Sequence, residues 1–177
     1  MFRMLGPVLM IVGALGAAIC GFAFSITMIH AEMERSGGGP QTLLSFESGP
    51  DEYIGQGQAY RYTPEDGAFS LWKDPNNRVI VHFSETPTIW WNLFLTAPNN
   101  GELRVGTYQY ASRPATEGLP GLDFFGSGRG CNLTSGQFQV MEAQYSPTGE
   151  VLRFHAVFQQ HCEGSAPAIV GRILYNI

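Results

Sequence analysis

The chain has 177 residues, of which 14% are charged, and its formal net charge of −5 is spread along the sequence. That length suits a single folded unit with an N-terminal appendage, and with Lys73 as its one lysine the chain offers no basic stripe for nucleic acid. The part after residue 40 is long enough to bury roughly two thirds of its unfolded surface, and needs no metal to hold it together.

From Met4 to Ile29 the chain reads MLGPVLMIVGALGAAICGFAFSITMI, with no charged residue. At about 1.5 Å of rise per residue, a helix over this run crosses a hydrocarbon core of about 30 Å. Secretory leaders carry a shorter apolar stretch of about 7 to 15 residues, so residues 1–30 are expected to form a retained, single-pass N-terminal transmembrane helix. Two alternatives stay open. Ala23-Phe24-Ser25 has the small-x-small form of a leader cleavage site. Cys20 invites lipidation, although the Ile19 before it is bulkier than lipoprotein signals prefer. Gly13, Ala17, Gly21 and Ser25 recur every fourth residue, and small side chains on one helix face let a second membrane helix approach closely. Arg3 places the N-terminus in the cytoplasm by the positive-inside rule. The expected location is the inner membrane, with the lipid bilayer around the anchor and the folded domain in the periplasm.

Residues 31–41 include SGGGP, a flexible linker by composition. Residues 42–177 are expected to form the folded domain, because short alternating runs there are separated by turn residues and no helical period persists. The pattern predicts strands over Leu43 to Glu47, Gln58 to Thr63, Ala68 to Lys73, Arg78 to Ser84, Ile89 to Thr96, Gly106 to Ala111, Gly136 to Tyr145, Val151 to His161 and Ala168 to Asn176. About nine strands joined by Gly, Pro and Asn turns predict an all-β fold, an antiparallel β-sandwich, with a closed barrel as the lesser alternative. KDPNNR pairs Lys73 with Arg78, which puts Trp72, Val79, Val81 and Phe83 on one face, expected to be core. YSPTGE pairs Tyr145 with Glu150, which puts Met141, Ala143, Leu152, Phe154 and Phe158 on another, with Glu142 opposite Arg153.

Cys131 and Cys162 are the only cysteines of the folded part. In an exported domain such a pair reads as a disulfide; buried free thiols in a cytoplasmic domain are the alternative. A zinc site would need more ligands than these two and His161 supply. GRGCN at 128–132 with GQFQVMEAQY after it, FQQHCEG at 158–164 and the terminal GRILYNI resemble a group of exported bacterial domains. The resemblance covers most of residues 42–177, implies an exported β-sandwich with a disulfide, and carries no catalytic residues.

In TIWWNLFLT, residues 88–96, Trp91, Leu93 and Leu95 point to one side and Trp90, Asn92 and Phe94 to the other. The second set makes a flat amphipathic platform for a protein partner or a sugar ring, unless the strand is central and covered on both faces. Residues 112–131, SRPATEGLPGLDFFGSGRGC, show no period and exceed the length of a plain loop, about 12 to 15 residues. Their Leu119, Leu122, Phe124 and Phe125 either close one end of the sandwich or dock on a partner or membrane. GSGRGC lacks the following helix that a phosphate loop needs. Asp51 and Glu52 fall in a turn with too few oxygen ligands for calcium, and the histidines lack metal-binding spacing. No nucleophile and base can be grouped, so no metal, cofactor or catalytic residue is expected. The chain reads as a non-catalytic accessory subunit that braces a larger inner-membrane complex, of respiratory or photosynthetic type, from the periplasmic side. Its contacts with the other subunits would be the transmembrane helix and the 112–131 loop; a periplasmic glycan-binding domain is the alternative.

Overall fold

The computed structural model describes residues 42–176. The anchor expected at 1–30, with its face of Gly13, Ala17, Gly21 and Ser25, and the 31–41 linker lie outside the described residues. Among the described residues no helix is long and apolar enough to cross a membrane.

The strands are β1 (Leu43–Ser48), β2 (Ala59–Tyr62), β3 (Ala68–Lys73), β4 (Val79–Ser84), β5 (Trp90–Thr96), β6 (Gly106–Arg113), β7 (Gly121–Gly126), β8 (Thr134–Tyr145), β9 (Val151–Cys162) and β10 (Ala168–Asn176), with a single 3-10 turn at Pro98–Asn100. Every expected strand is present, and β7 is an additional one inside the segment expected to be loop. The fold is all-β, but the strands do not form two separate antiparallel sheets. They form one ten-stranded mixed sheet in the order β2-β1-β10-β9-β8-β6-β7-β5-β4-β3. Neighbours are antiparallel except β6 and β7, which meet in parallel at Ser112 and Gly121.

The sheet curls because one face is apolar along nearly every strand and, among the described residues, buries against itself. Phe46 of β1 meets Trp91 of β5 and Phe124 of β7 at ring-centroid distances of 4.6 and 4.8 Å. Tyr62 of β2 stacks on Phe83 of β4 at 4.4 Å, and Phe124 meets Phe158 of β9 at 4.9 Å. Phe83, Trp91, Phe124, Phe138, Phe154 and Phe158 are all fully buried there, and burial of such a ring contributes roughly 1.5 to 3 kcal/mol. Gly171 of β10 makes room for one of them, since a Cβ at that position would run into the Phe158 ring.

At the β6–β7 junction strand pairing stops after one residue pair. Beyond it, the edge of β7 that faces away from β5 would leave buried backbone groups unpaired, a costly state. Side chains take the place of the missing strand. Gln160, wholly buried on β9, accepts from Phe124 N at 2.7 Å and donates Nε2–H to Phe124 O at 2.9 Å. Thr134 Oγ1 donates to Leu122 O at 2.7 Å.

Both hairpin registers differ from the expected ones. Lys73 pairs with Val79 rather than Arg78. The cause is Asp74, whose carboxylate accepts from Asn76 N and Arg78 N at 2.9 and 3.0 Å and closes a longer loop. A one-residue slip moves a strand's side chains to the opposite face. Val79, Val81 and Phe83 are buried as expected, but Trp72 is turned outward and is 45% exposed. In the second hairpin Tyr145 pairs with Val151, and bulges interrupt the ladder. Leu152 is consequently exposed, although Phe154 is buried and Arg153 still reaches Glu142 at 3.8 Å.

Candidate functional site

Alternation along β5 buries Trp91, Leu93 and Leu95 and turns Trp90, Asn92 and Phe94 to the outer face, where each is half-buried. Register places these side chains in rows across β3, β4, β5 and β7: Trp72, Ile80, Phe94 and Asp123 in one, Ser70, His82, Asn92 and Phe125 in the next, then Ala68, Ser84 and Trp90. Phe125 packs edge to face against Phe94 and Trp90, with centroids 5.1 and 6.1 Å apart. The Arg78 guanidinium lies 4.7 Å above the Phe94 ring and is anchored by Asp74 at 2.9 Å. His82 Nδ1 sits 2.9 Å from Asn92 Oδ1, so the oxygen of the platform's amide is already engaged.

The four apolar residues of the 112–131 segment separate. Leu122 and Phe124 are buried in the core, 1% and 0% exposed, and are therefore no partner surface. The reason is that β7 pairs with β5 and inherits its period of two: Leu122 and Phe124 point in, Asp123 and Phe125 point out. Phe125 joins the outer aromatic face, and Leu119, in the turn before β7, is 39% exposed. The alternation in GLDFFG, bounded by Pro120 and Ser127, was the signal for this strand.

Cys131 and Cys162 are joined by a disulfide with Cα atoms 5.3 Å apart. The two motifs around them meet through backbone as well. Glu163 Oε1 accepts from Asn132 N at 2.5 Å, and Glu163 N donates to Leu133 O at 2.9 Å. Arg129 Nε donates to Ile54 O at 2.7 Å, and its guanidinium lies 5.3 Å from the Trp91 ring centroid. Glu52 is buried and caps its own turn, accepting from Ile54 N at 3.1 Å and Gly55 N at 2.5 Å. GRGCN and QHCEG thus have structural work: they tie the 49–57 turn and the end of β9 to the end of β7. Among the described residues no cluster of three His, Cys, Asp or Glu is arranged to hold a metal ion.

Asp123 is the outer face's one strongly perturbed group. Its Oδ2 accepts from Arg113 Nε at 2.9 Å, while the buried Oδ1 has no hydrogen-bond partner among the described residues. Burial pushes its pKa up from 3.8 to about 6, outweighing the attraction of Arg113 and Arg78. A folded-state pKa above the unfolded one means that the native state holds the proton more tightly between those two values. Stability from this group is therefore full below pH 3.8, falls as pH rises towards 6, and is level above. Asp123→Asn should remove that fall, up to about 3 kcal/mol for a shift of this size. The check is the difference between wild-type and variant thermal unfolding from acidic to neutral pH, which cancels the other carboxylates. A difference that does not change with pH would contradict the assignment.

Compared with protein-family models, curated proteins and solved structures, the chain matches none of them.

Proposed function

We propose that the domain is a non-catalytic, membrane-tethered accessory subunit whose outer β3–β4–β5–β7 face docks on a neighbouring protein of an inner-membrane complex. The observation that carries this reading is the make-up of that face: the exposed Trp72 with the half-buried Trp90, Phe94 and Phe125, and Arg78, Arg113 and Asp123 beside them. An apolar centre with a polar rim is the anatomy of a protein interface, and Trp and Arg are the residue types that most often carry its binding energy. A sugar stacks on an open, flat ring and hydrogen-bonds to free amides. Here Phe125 packs edge to face on both Trp90 and Phe94 and the Asn92 oxygen is engaged by His82, which favours a protein on this face. The uncharged run from Met4 to Ile29 supports the tether. The cysteine bridge supports a periplasmic domain, and a respiratory or photosynthetic assembly is the host we favour.

The test is photo-crosslinking of the full chain in its native membranes, with benzoylphenylalanine replacing Trp72 in one sample and the exposed Leu152 in another. The expected result is one crosslinked protein of fixed mass from position 72 and none from position 152. Trp72→Ala should release the chain from the complex without changing its thermal unfolding, because surface substitutions of this kind stay within about 0.5 kcal/mol. A chain that purifies alone from mild detergent, with equal faint labelling from both positions, would overturn the reading.

A further inference from the structure

A single bulge builds a groove on the other half of the sheet. Tyr108 of β6 pairs with Phe138 of β8, and Ala111 pairs with Gly136, so three steps along β6 match two along β8. Tyr110 takes up the excess with a left-handed φ of 60°. Bulky residues rarely adopt that backbone, and bulges serve to re-aim side chains. The Tyr110 side chain stands out, 76% exposed. Together with Gln109 it lies beside Gln137, Gln159 and His161, and these residues with Gly136 line a groove of about 290 Å³.

The polar groups of the groove are amides, a phenol and an imidazole, and they are only partly used. Gln137 Nε2 donates to Gln159 Oε1 at 3.3 Å. An amide has two N–H donors and a carbonyl acceptor, so that bond leaves the Gln137 oxygen and the Gln159 amino group unpaired among the described residues. His161 Nδ1 lies 3.1 Å from the Ser165 carbonyl. A carbonyl only accepts, so Nδ1 carries a proton, and in that tautomer Nε2 is left to accept. No Asp, Glu, Lys or Arg lines the groove. It therefore offers mixed donors and acceptors beside one aromatic side chain, a lining that suits an uncharged ligand.

We propose that this groove binds one neutral sugar ring, its C–H face laid on Tyr110 and its hydroxyls bridging Gln109, Gln137, Gln159 and the His161 Nε2. Each sugar hydroxyl both donates and accepts, which is what the amides ask for, and the C–H face of a pyranose matches an exposed aromatic ring. The volume lies at the lower limit of ligand pockets, about 300 Å³, which admits one ring and not a buried chain of them. The site uses β6, β8 and β9 and stands independently of the protein-docking face.

The experiment is saturation-transfer NMR on the full chain, in a detergent without a sugar head group, against glucose, galactose, mannose, N-acetylglucosamine and, as the competing flat ligand, adenosine. Transfer to the ring protons of at least one sugar is expected, with affinity weakened about tenfold by Gln159→Ala. Tyr110→Asn should weaken it similarly, because Asn tolerates the left-handed backbone and removes only the ring. Tyr53→Ala, at an exposed tyrosine elsewhere, should leave the signal unchanged. No transfer to any sugar, transfer that survives Tyr110→Asn, loss of transfer in Trp72→Ala instead, or transfer to adenosine alone would each overturn the proposal.

Discussion

Gln160→Leu is expected to lower the unfolding free energy by about 2 to 6 kcal/mol, because it leaves two buried backbone groups unpaired at about 1 to 3 kcal/mol each. Those groups are the N–H and C=O of Phe124, both held by the Gln160 amide in a site with no access to water. Leucine has nearly the same volume as glutamine, so the loss reports hydrogen bonding rather than a cavity. The amide acts as a stand-in for a strand. Where pairing between β6 and β7 ends at Ser112 and Gly121, it supplies β7 with the donor and acceptor that a neighbouring backbone would have supplied. Gln159→Leu is the matched comparison, since its side chain lies on the outer face and carries no backbone group, and should change stability by about 0.5 kcal/mol or less. Urea unfolding of the two variants decides the matter: equal midpoints would show that the curl does not depend on this clamp.

This clamp also marks where sequence reasoning stops. Alternation made the strands legible, because a half-buried strand must repeat every second residue, and it assigned the two faces of β5 as found, with Trp91 in and Trp90 out. Alternation puts Gln160 on the same face as Phe158 and Cys162 and Gln159 on the other, but nothing in FQQHCEG says what the buried amide would bond to. Burial of Gln160 depends on the neighbour that β7 lacks, and that is a tertiary fact. β7 itself was readable from the in-out order of Leu122, Asp123, Phe124 and Phe125, but its run is short and embedded among glycines and prolines, so the segment looked aperiodic.

Errors in the candidate sites have equally local causes. Trp72 was assigned to the core by a hairpin register one residue too tight. The missed signal was Asp74 ahead of Pro75, a residue type that closes turns through its own side chain. Correcting that register is what brings Trp72 into the same row as Phe94 and Asp123 and turns an isolated pair of rings into a continuous face. The Tyr110 groove had no sequence signal, because a bulge at a tyrosine carries no glycine to announce a left-handed backbone.

Replacing both Cys131 and Cys162 with alanine is expected to reduce stability by about 3 to 4 kcal/mol in the chain-entropy account, given a bridge that closes 31 residues. The bond encloses the whole of β8 and β9, the longest hairpin among the described residues, and so confines the unfolded chain most where the native contacts are most local. That mechanism makes a second demand: an unfolded chain freed of the loop exposes more surface, so the slope of unfolding free energy against urea should rise in the variant. Stabilisation acting through native packing alone would lower the midpoint and leave the slope where it was. Urea titration of the oxidised protein, the reduced protein and the double variant separates the two. If the midpoint does not move on reduction, the bridge is not part of what holds the fold. If the midpoint falls and the slope rises together, the domain draws its stability from an oxidising surrounding, which is the condition the periplasmic reading requires.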